Sequence, residues 1–148
     1  METPDTETQN AERKGYESRY GNDPDTLNMD YTHSEAHQMA YDFSVYLHKK
    51  VQKFPKYEKF TLQKEIRETI DELMDEIEVY EKTKVVSHLY AADRLKGRLV
   101  RKIRLAHDLR YSAMNGSAYS YCAKQLGCIG ACIGGLINKV QAEKKKTK

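Results

Sequence analysis

Hydrophobic residues between positions 34 and 143 recur every three or four residues, which is the spacing of one face of an α-helix. The pattern is interrupted at Pro55, near Lys84 and at Asn115-Gly116. Ser34, followed by Glu35, is a typical N-cap and predicts the start of the first helix. We predict four helices, from Ser34 to before Pro55, from about Thr61 to Lys82, from about Lys84 to Ala113 and from about Ser117 to Glu143.

Four helices joined by short connections predict an all-α fold, an antiparallel up-down-up-down four-helix bundle. The composition favours amphipathic helices over strands, because 32% of the residues are charged, 39% are hydrophobic and only three are proline. The chain of 148 residues is long enough for one continuous core and too short for two. The third helix, at 1.5 Å per residue, should be about 45 Å long.

The two ends of the chain differ from the bundle in composition. Residues 1–33 carry eight acidic and three basic side chains, a net charge of −5, and have few aliphatic residues to bury. This composition predicts a disordered acidic tail, although its tyrosines also allow a peptide arm that docks on the body. Residues 34–143 should form the bundle, and residues 144–148 a basic C-terminal tail.

Charge is distributed unevenly between the second and third predicted helices. Residues 65–81 include eight acidic side chains and one basic one, whereas residues 94–110 include seven basic side chains and one acidic one. The chain after residue 33 carries 22 Lys and Arg against 14 Asp and Glu, a net charge of +8. A basic surface attracts polyanions, so nucleic acid is a candidate ligand.

The basic residues of the third helix form a stripe opposite its apolar face. Helical geometry places Arg94, Arg98, Arg101 and Lys102 within an arc of about 100°, with Arg104 at its edge. We predict that this stripe contacts phosphates, with Lys144, Lys145 and Lys146 as secondary candidates. The alternative is a solvated face, or one that pairs with the acidic helix of the same or a neighbouring subunit. Arginine and the surplus charge favour phosphate contact.

Nothing in the sequence predicts catalysis, a metal site or a cofactor. No Gly-rich phosphate loop, di-iron motif or nucleophile beside a base is present. His33 and His37 lack a third metal ligand, and Cys128 and Cys132 are interpreted as packing residues. Three cysteines do not suggest a disulfide framework, and no apolar run is long enough to cross a membrane. We expect a cytoplasmic protein that is not an enzyme.

The fourth predicted helix is unusually rich in glycine. Gly127, Gly130, Gly134 and Gly135 each cost about 1 kcal/mol of helix propensity relative to alanine. Small residues allow another helix to approach closely. We therefore predict that these glycines serve helix packing, within the bundle or between subunits.

Two segments resemble a known family of bacterial and phage four-helix-bundle proteins. Residues 54–62, Phe-Pro-Lys-Tyr-Glu-Lys-Phe-Thr-Leu, resemble the connection between its first two helices, and residues 129–137 resemble its last helix. One branch contains the accessory variability determinants of diversity-generating retroelements, and the other is encoded by intervening sequences in ribosomal RNA genes. Residues 66–73 and 86–93 resemble the accessory-determinant branch.

This resemblance implies a homopentameric, barrel-like assembly that binds DNA and template RNA and associates with the reverse transcriptase of the element. It implies an accessory role in mutagenic cDNA synthesis, with the chemistry done by the polymerase. The alternatives are the ribosomal-RNA-associated branch and a purely structural oligomer whose basic helix pairs with the acidic helix of a neighbour.

Overall fold

The computed structural model describes residues 34–146 and is entirely helical within that range, apart from the connections. The acidic segment 1–33 and the last two residues, Thr147 and Lys148, lie outside the described residues. The four helices are α1 (Glu35–Val51), α2 (Leu62–Thr83), α3 (Ser87–Asp108) and α4 (Gly116–Lys146). Short 3₁₀ turns at Lys56–Glu58 and Ser112–Met114 lie in the first and third connections.

Each helix packs against its neighbours in the chain, and α4 returns to pack against α1. The first residue of the bundle contacts the end of α2, because the Ser34 backbone N–H donates to Glu81 at 3.1 Å. At the opposite end, the ring of His107 in α3 stacks on Tyr119 in α4 at 4.4 Å between centroids. Contacts between the start of one helix and the end of the next define the antiparallel four-helix bundle that the sequence predicts.

The core is made by the apolar faces of all four helices. Ser34 caps α1 as predicted, since its side chain accepts a hydrogen bond from the backbone N–H of His37. The hydrophobic residues that recur every three or four positions along α2 also face the core, with Ile66, Ile70 and Ile77 fully buried. The large side chains that are fully buried are Phe43, Leu47, Ile66, Ile70, Leu73, Ile77, Leu89, Leu99, Ile103, Met114, Ile129 and Ile133.

The third helix is shorter than predicted at both ends. It has 22 residues, about 33 Å, and not the 45 Å expected for a helix from Lys84 to Ala113. Arg110 adopts a left-handed backbone conformation with φ of 62°, and the N–H of Tyr111 donates to the carbonyl of Ala106 at 3.2 Å. This is a Schellman C-cap with arginine where glycine is usual, so the prediction that the helix continues to Ala113 is wrong.

Lys84 ends α2 with the simpler αL cap, in which its φ is 58° and its backbone N–H donates to the carbonyl of Tyr80 at 2.7 Å. Its left-handed conformation separates the two helices, and α3 therefore begins only at Ser87. At the start of α4, the side chain of Asn115 accepts from the backbone N–H of Ala118 at 2.9 Å. The fourth helix continues through Lys146, three residues beyond the predicted end.

Glu58 ties the α1–α2 connection to the α3–α4 connection. Its carboxylate accepts hydrogen bonds from the Tyr111 hydroxyl at 2.6 Å and from the Thr61 hydroxyl. The Phe54 ring is buried and lies 5.5 Å from the Tyr111 ring. Both hydrogen bonds favour the charged carboxylate and therefore lower the pKa of Glu58 below its usual value. The bond from Thr61 has the larger effect.

Replacing Tyr111 with Phe should raise the pKa of Glu58 towards its ordinary value, because one of the two hydroxyl donors is removed. A carboxyl whose folded pKa is lowered stabilises the fold above its unfolded pKa of about 4.3, and this contribution disappears as the pH falls through the folded value. The melting temperature of Tyr111→Phe should therefore lie below that of the parent protein at pH 7, and the two should converge in acid.

An NMR titration of the Glu58 carboxyl carbon measures the pKa directly. Tyr41→Phe is the matched control, because Tyr41 is an exposed tyrosine on α1. An unchanged Glu58 pKa in Tyr111→Phe would contradict the hydrogen bond.

Candidate nucleic-acid interface

The third helix lies between α2 and α4 and turns its apolar face into the core. Leu95 and Ile103 are buried, whereas Arg94, Arg98 and Arg101 on the other side are exposed. Arg104 is also exposed, and Lys102 is half-buried. All five residues predicted for the stripe therefore reach solvent, but their surroundings differ.

Two of the five residues form ion pairs with the acidic helix α2. The Lys102 ammonium lies 3.0 Å from Glu65, and the Arg98 guanidinium lies 3.7 Å from Glu72. Both pairs join α3 to α2 within one subunit, which is the intramolecular alternative that the sequence left open. Part of the stripe therefore serves helix packing.

Arg104 lies 3.6 Å from Asp108, four residues later on the same helix. Both side chains are mostly exposed, and a pair of this kind contributes only about 0.3–0.5 kcal/mol. Its guanidinium is therefore easily recruited by a ligand.

Arg94 and Arg101 form no ion pair within residues 34–146. They lie seven residues apart on the outer face of α3, a rise of about 10 Å along the helix. An exposed guanidinium without a carboxylate partner can bind phosphate without first breaking an ion pair. These two arginines are the strongest phosphate-binding candidates on α3.

Lys96 lies on the other flank of α3, against α4. Its chain runs over Gly130, where an added Cβ would come within 2.9 Å of Nζ and 3.0 Å of Cδ. Lys96 also borders a groove of about 260 Å³ between the two helices. The groove is lined by Lys96, Val100, Ile103, Tyr119, Ala123, Leu126 and Gly127.

The C-terminal lysines are part of α4. Lys144, Lys145 and Lys146 occupy its last turn and are exposed. Cations in this position interact favourably with the negative end of the helix dipole. Their charge therefore stabilises the helix end as well as adding to the basic surface.

The glycines of α4 have few neighbours. No atom outside the local helix lies within 4 Å of a Cβ built at Gly127, Gly134 or Gly135. A close contact inside the described part of the chain therefore accounts only for Gly130, which accommodates Lys96. The contact between subunits stays a prediction.

Of the three cysteines of α4, Cys122 is buried, whereas Cys128 and Cys132 are half-buried. Burial raises the pKa of Cys122 to about 12, so its thiol stays protonated at neutral pH. Burial, followed by the charges of Glu35 and Cys128, also raises the pKa of Cys132, whose Sγ lies 3.6 Å from the sulfur of Met39. Among residues 34–146, no group of three or more His, Cys, Asp or Glu could hold a metal ion.

A second basic surface, which the sequence analysis did not single out, lies at the α1–α2 connection. Lys53, Lys56 and Lys59 are exposed there beside the exposed rings of Tyr57 and Phe60. The available signal was the alternation of lysines with aromatic residues inside a connection. Helical periodicity does not extend into a connection, so it does not indicate this surface.

A family model described as bAvd-like matches residues 36–140. The chain belongs to the bAvd-like family. The matched range covers most of the chain and nearly all of the described bundle, so the resemblance to accessory variability determinants is confirmed. No curated protein and no solved structure matches the chain. None of the helices in residues 34–146 of this bAvd-like chain is long and apolar enough to span a membrane.

Replacing Gly134 with Leu tests the predicted contact between subunits of the bAvd-like protein. The subunit should stay helical, because a side chain at this position meets no other part of the described chain. The oligomer mass measured by light scattering should fall, since a bulky residue would separate the packed helices.

Gly97→Leu is the matched control, because Gly97 on α3 also has nothing within 4 Å of its Cβ position. A parent protein and a Gly134→Leu variant of equal mass would remove α4 from the predicted interface.

Proposed function

We propose that this chain is a non-catalytic, nucleic-acid-binding accessory protein of a diversity-generating retroelement. In this role it holds the reverse transcriptase and the template RNA together during mutagenic cDNA synthesis. The observation that carries the proposal is the pair of exposed arginines on the outer face of α3, Arg94 and Arg101, which have no carboxylate partner within residues 34–146, in a chain of the bAvd-like family.

The charge distribution supports phosphate contact over a purely self-contained bundle. Glu65 of α2 is engaged by Lys102 of the same subunit at 3.0 Å, and Glu72 more weakly by Arg98 at 3.7 Å, so α2 offers fewer open acceptors to the basic helix of a neighbour. Arg94 and Arg101, which form no ion pair within residues 34–146, contribute to the net charge of +8 that the chain carries after residue 33. A phosphate backbone is the partner that such a surplus attracts.

The family supports the finer parts of the proposal. The bAvd-like match favours the retroelement branch over the ribosomal-RNA-associated branch. A homopentamer, which the resemblance implies, would bring five such surfaces together with a summed charge of about +40. The small residues on the outer face of α4 fit a helix of another subunit. Any binding should have little sequence specificity, because phosphate contacts do not read bases.

Replacing both Arg94 and Arg101 with Gln should weaken binding to template-type RNA and to duplex DNA. Removing one phosphate contact lowers the slope of log affinity against log salt by about 0.9 for duplex DNA, so we expect a fall of almost 2 per bound subunit. Fluorescence anisotropy across a salt series measures both the affinity and the slope.

A double substitution of Lys82 and Lys139 with Gln is the matched control, since it removes two exposed lysines outside the stripe. The control should change the slope less. Equal slopes for the parent protein and the Arg94/Arg101 variant would overturn the role of α3, and addition of the purified reverse transcriptase to the same samples tests the scaffold.

A further inference from the structure

Tyr57 and Phe60, in the connection between α1 and α2, are unusually exposed. Their relative exposures are 75% and 78%, whereas Tyr41, the next large apolar side chain, is 53% exposed. Aromatic side chains normally contribute to stability by burying their large surfaces. Phe54, a few residues earlier in the same connection, does so and is only 5% exposed. The exposed rings are therefore available to a ligand.

The surroundings of these rings are strongly basic. Residues 49–64 include six lysines and one acid, Glu58. The Glu58 carboxylate is held by the hydroxyls of Tyr111 and Thr61, so it forms no ion pair with the lysines. Lys64 lies 3.7 Å from Glu68 on the surface of α2, whereas Lys53, Lys56 and Lys59 form no ion pair within residues 34–146.

The α1–α2 connection that carries the two rings is held in place by the rest of the bundle. Pro55 and the 3₁₀ turn Lys56–Glu58 fix the backbone, and Phe54 anchors it in the core. The Tyr57 ring meets the Tyr111 ring edge-on at 6.5 Å between centroids, leaving most of its surface open. The Lys59 ammonium lies 5.4 Å from the centroid of the Phe60 ring. Preorganised side chains lose less conformational freedom on binding.

We propose that this connection is a binding site for single-stranded nucleic acid. Unpaired bases stack on Tyr57 and Phe60, and Lys53, Lys56 and Lys59 contact the adjoining phosphates. Exposed aromatic rings in a positively charged surface are the combination that binds single strands without sequence preference. A duplex cannot use it in the same way, because its bases are stacked on one another.

A protein partner fits this surface less well. Aromatic residues are common in protein interfaces, but lysine is depleted there, and here exposed lysines alternate with the two rings along the connection. The site extends the proposed function, on which it rests for its biological role. It is separate from the α3 stripe, because its residues lie in the α1–α2 connection and those of the stripe lie on α3.

The test is fluorescence anisotropy with a labelled 12-nucleotide single strand and a 12-base-pair duplex, each as RNA and as DNA, on the full chain. Tyr57→Ala combined with Phe60→Ala should weaken single-strand binding by about ten-fold or more, in line with base stacking on aromatic residues. Duplex binding should change less than two-fold. Tyr57→Phe combined with Phe60→Tyr should restore single-strand affinity, because both rings are retained.

Tyr41→Ala is the control for loss of an exposed tyrosine outside the lysine cluster. Replacing Lys53, Lys56 and Lys59 with Gln should lower the salt slope for single strands by about 2, or about 0.7 for each phosphate contact. Circular dichroism and melting temperature establish that the variants are folded.

Unchanged single-strand affinity in the Tyr57/Phe60 variant overturns the inference. So does a variant that loses binding to the purified reverse transcriptase while it keeps single-strand binding, since the surface would then serve a protein. If only the Arg94/Arg101 variant loses binding, the proposed function stands and this site fails. If only the Tyr57/Phe60 variant loses binding, the result contradicts the role of the α3 stripe and supports this site.

Discussion

The position of α2 between α1 and α3 is the constraint on which the rest of the bundle depends. Its isoleucine seam is fully buried, while the acidic side chains on its two flanks face different partners. Towards α1, Glu78 lies 2.8 Å from the His37 ring. Towards α3, Glu76 lies 2.7 Å from His88, and Glu65 and Glu72 pair with cations. Burial supplies the stability, and the charges fix which neighbour lies on which side.

This arrangement determines which cations of α3 are available to a ligand. Residues on the flank towards α2 are drawn into pairs with it, and residues on the flank towards α4, such as Lys96, lie along the groove. Only the outermost arginines face solvent without a partner in the described part of the chain. The surface of α3 proposed to bind phosphate is therefore smaller than the basic composition of the helix indicates, because Glu65 and Glu72 of α2 already pair with two of its cations.

The sequence predicts the four helices, the Ser34 cap and the apolar faces well, because helical periodicity depends directly on burial. It places the ends of α2 to within one residue but both ends of α3 poorly, since Lys84 before α3 and Arg110 after it adopt left-handed conformations that usually belong to glycine. The division of the basic stripe could not be predicted either, because it depends on which carboxylates of α2 lie opposite. The sequence also does not show whether an aromatic residue in a connection is buried. In the α1–α2 connection Phe54 is buried, whereas Phe60 is exposed.

The close approach of Lys96 to Gly130 has a consequence for how related chains can diverge. Glycine at position 130 leaves room for the lysine chain to lie along α4. Any larger residue there would displace the ammonium group towards solvent, because the end of a lysine side chain moves more easily than the backbone. A single methyl group on one helix would thus relocate a positive charge on the next. Evolution could in this way reshape the electrostatic surface while every basic residue is retained.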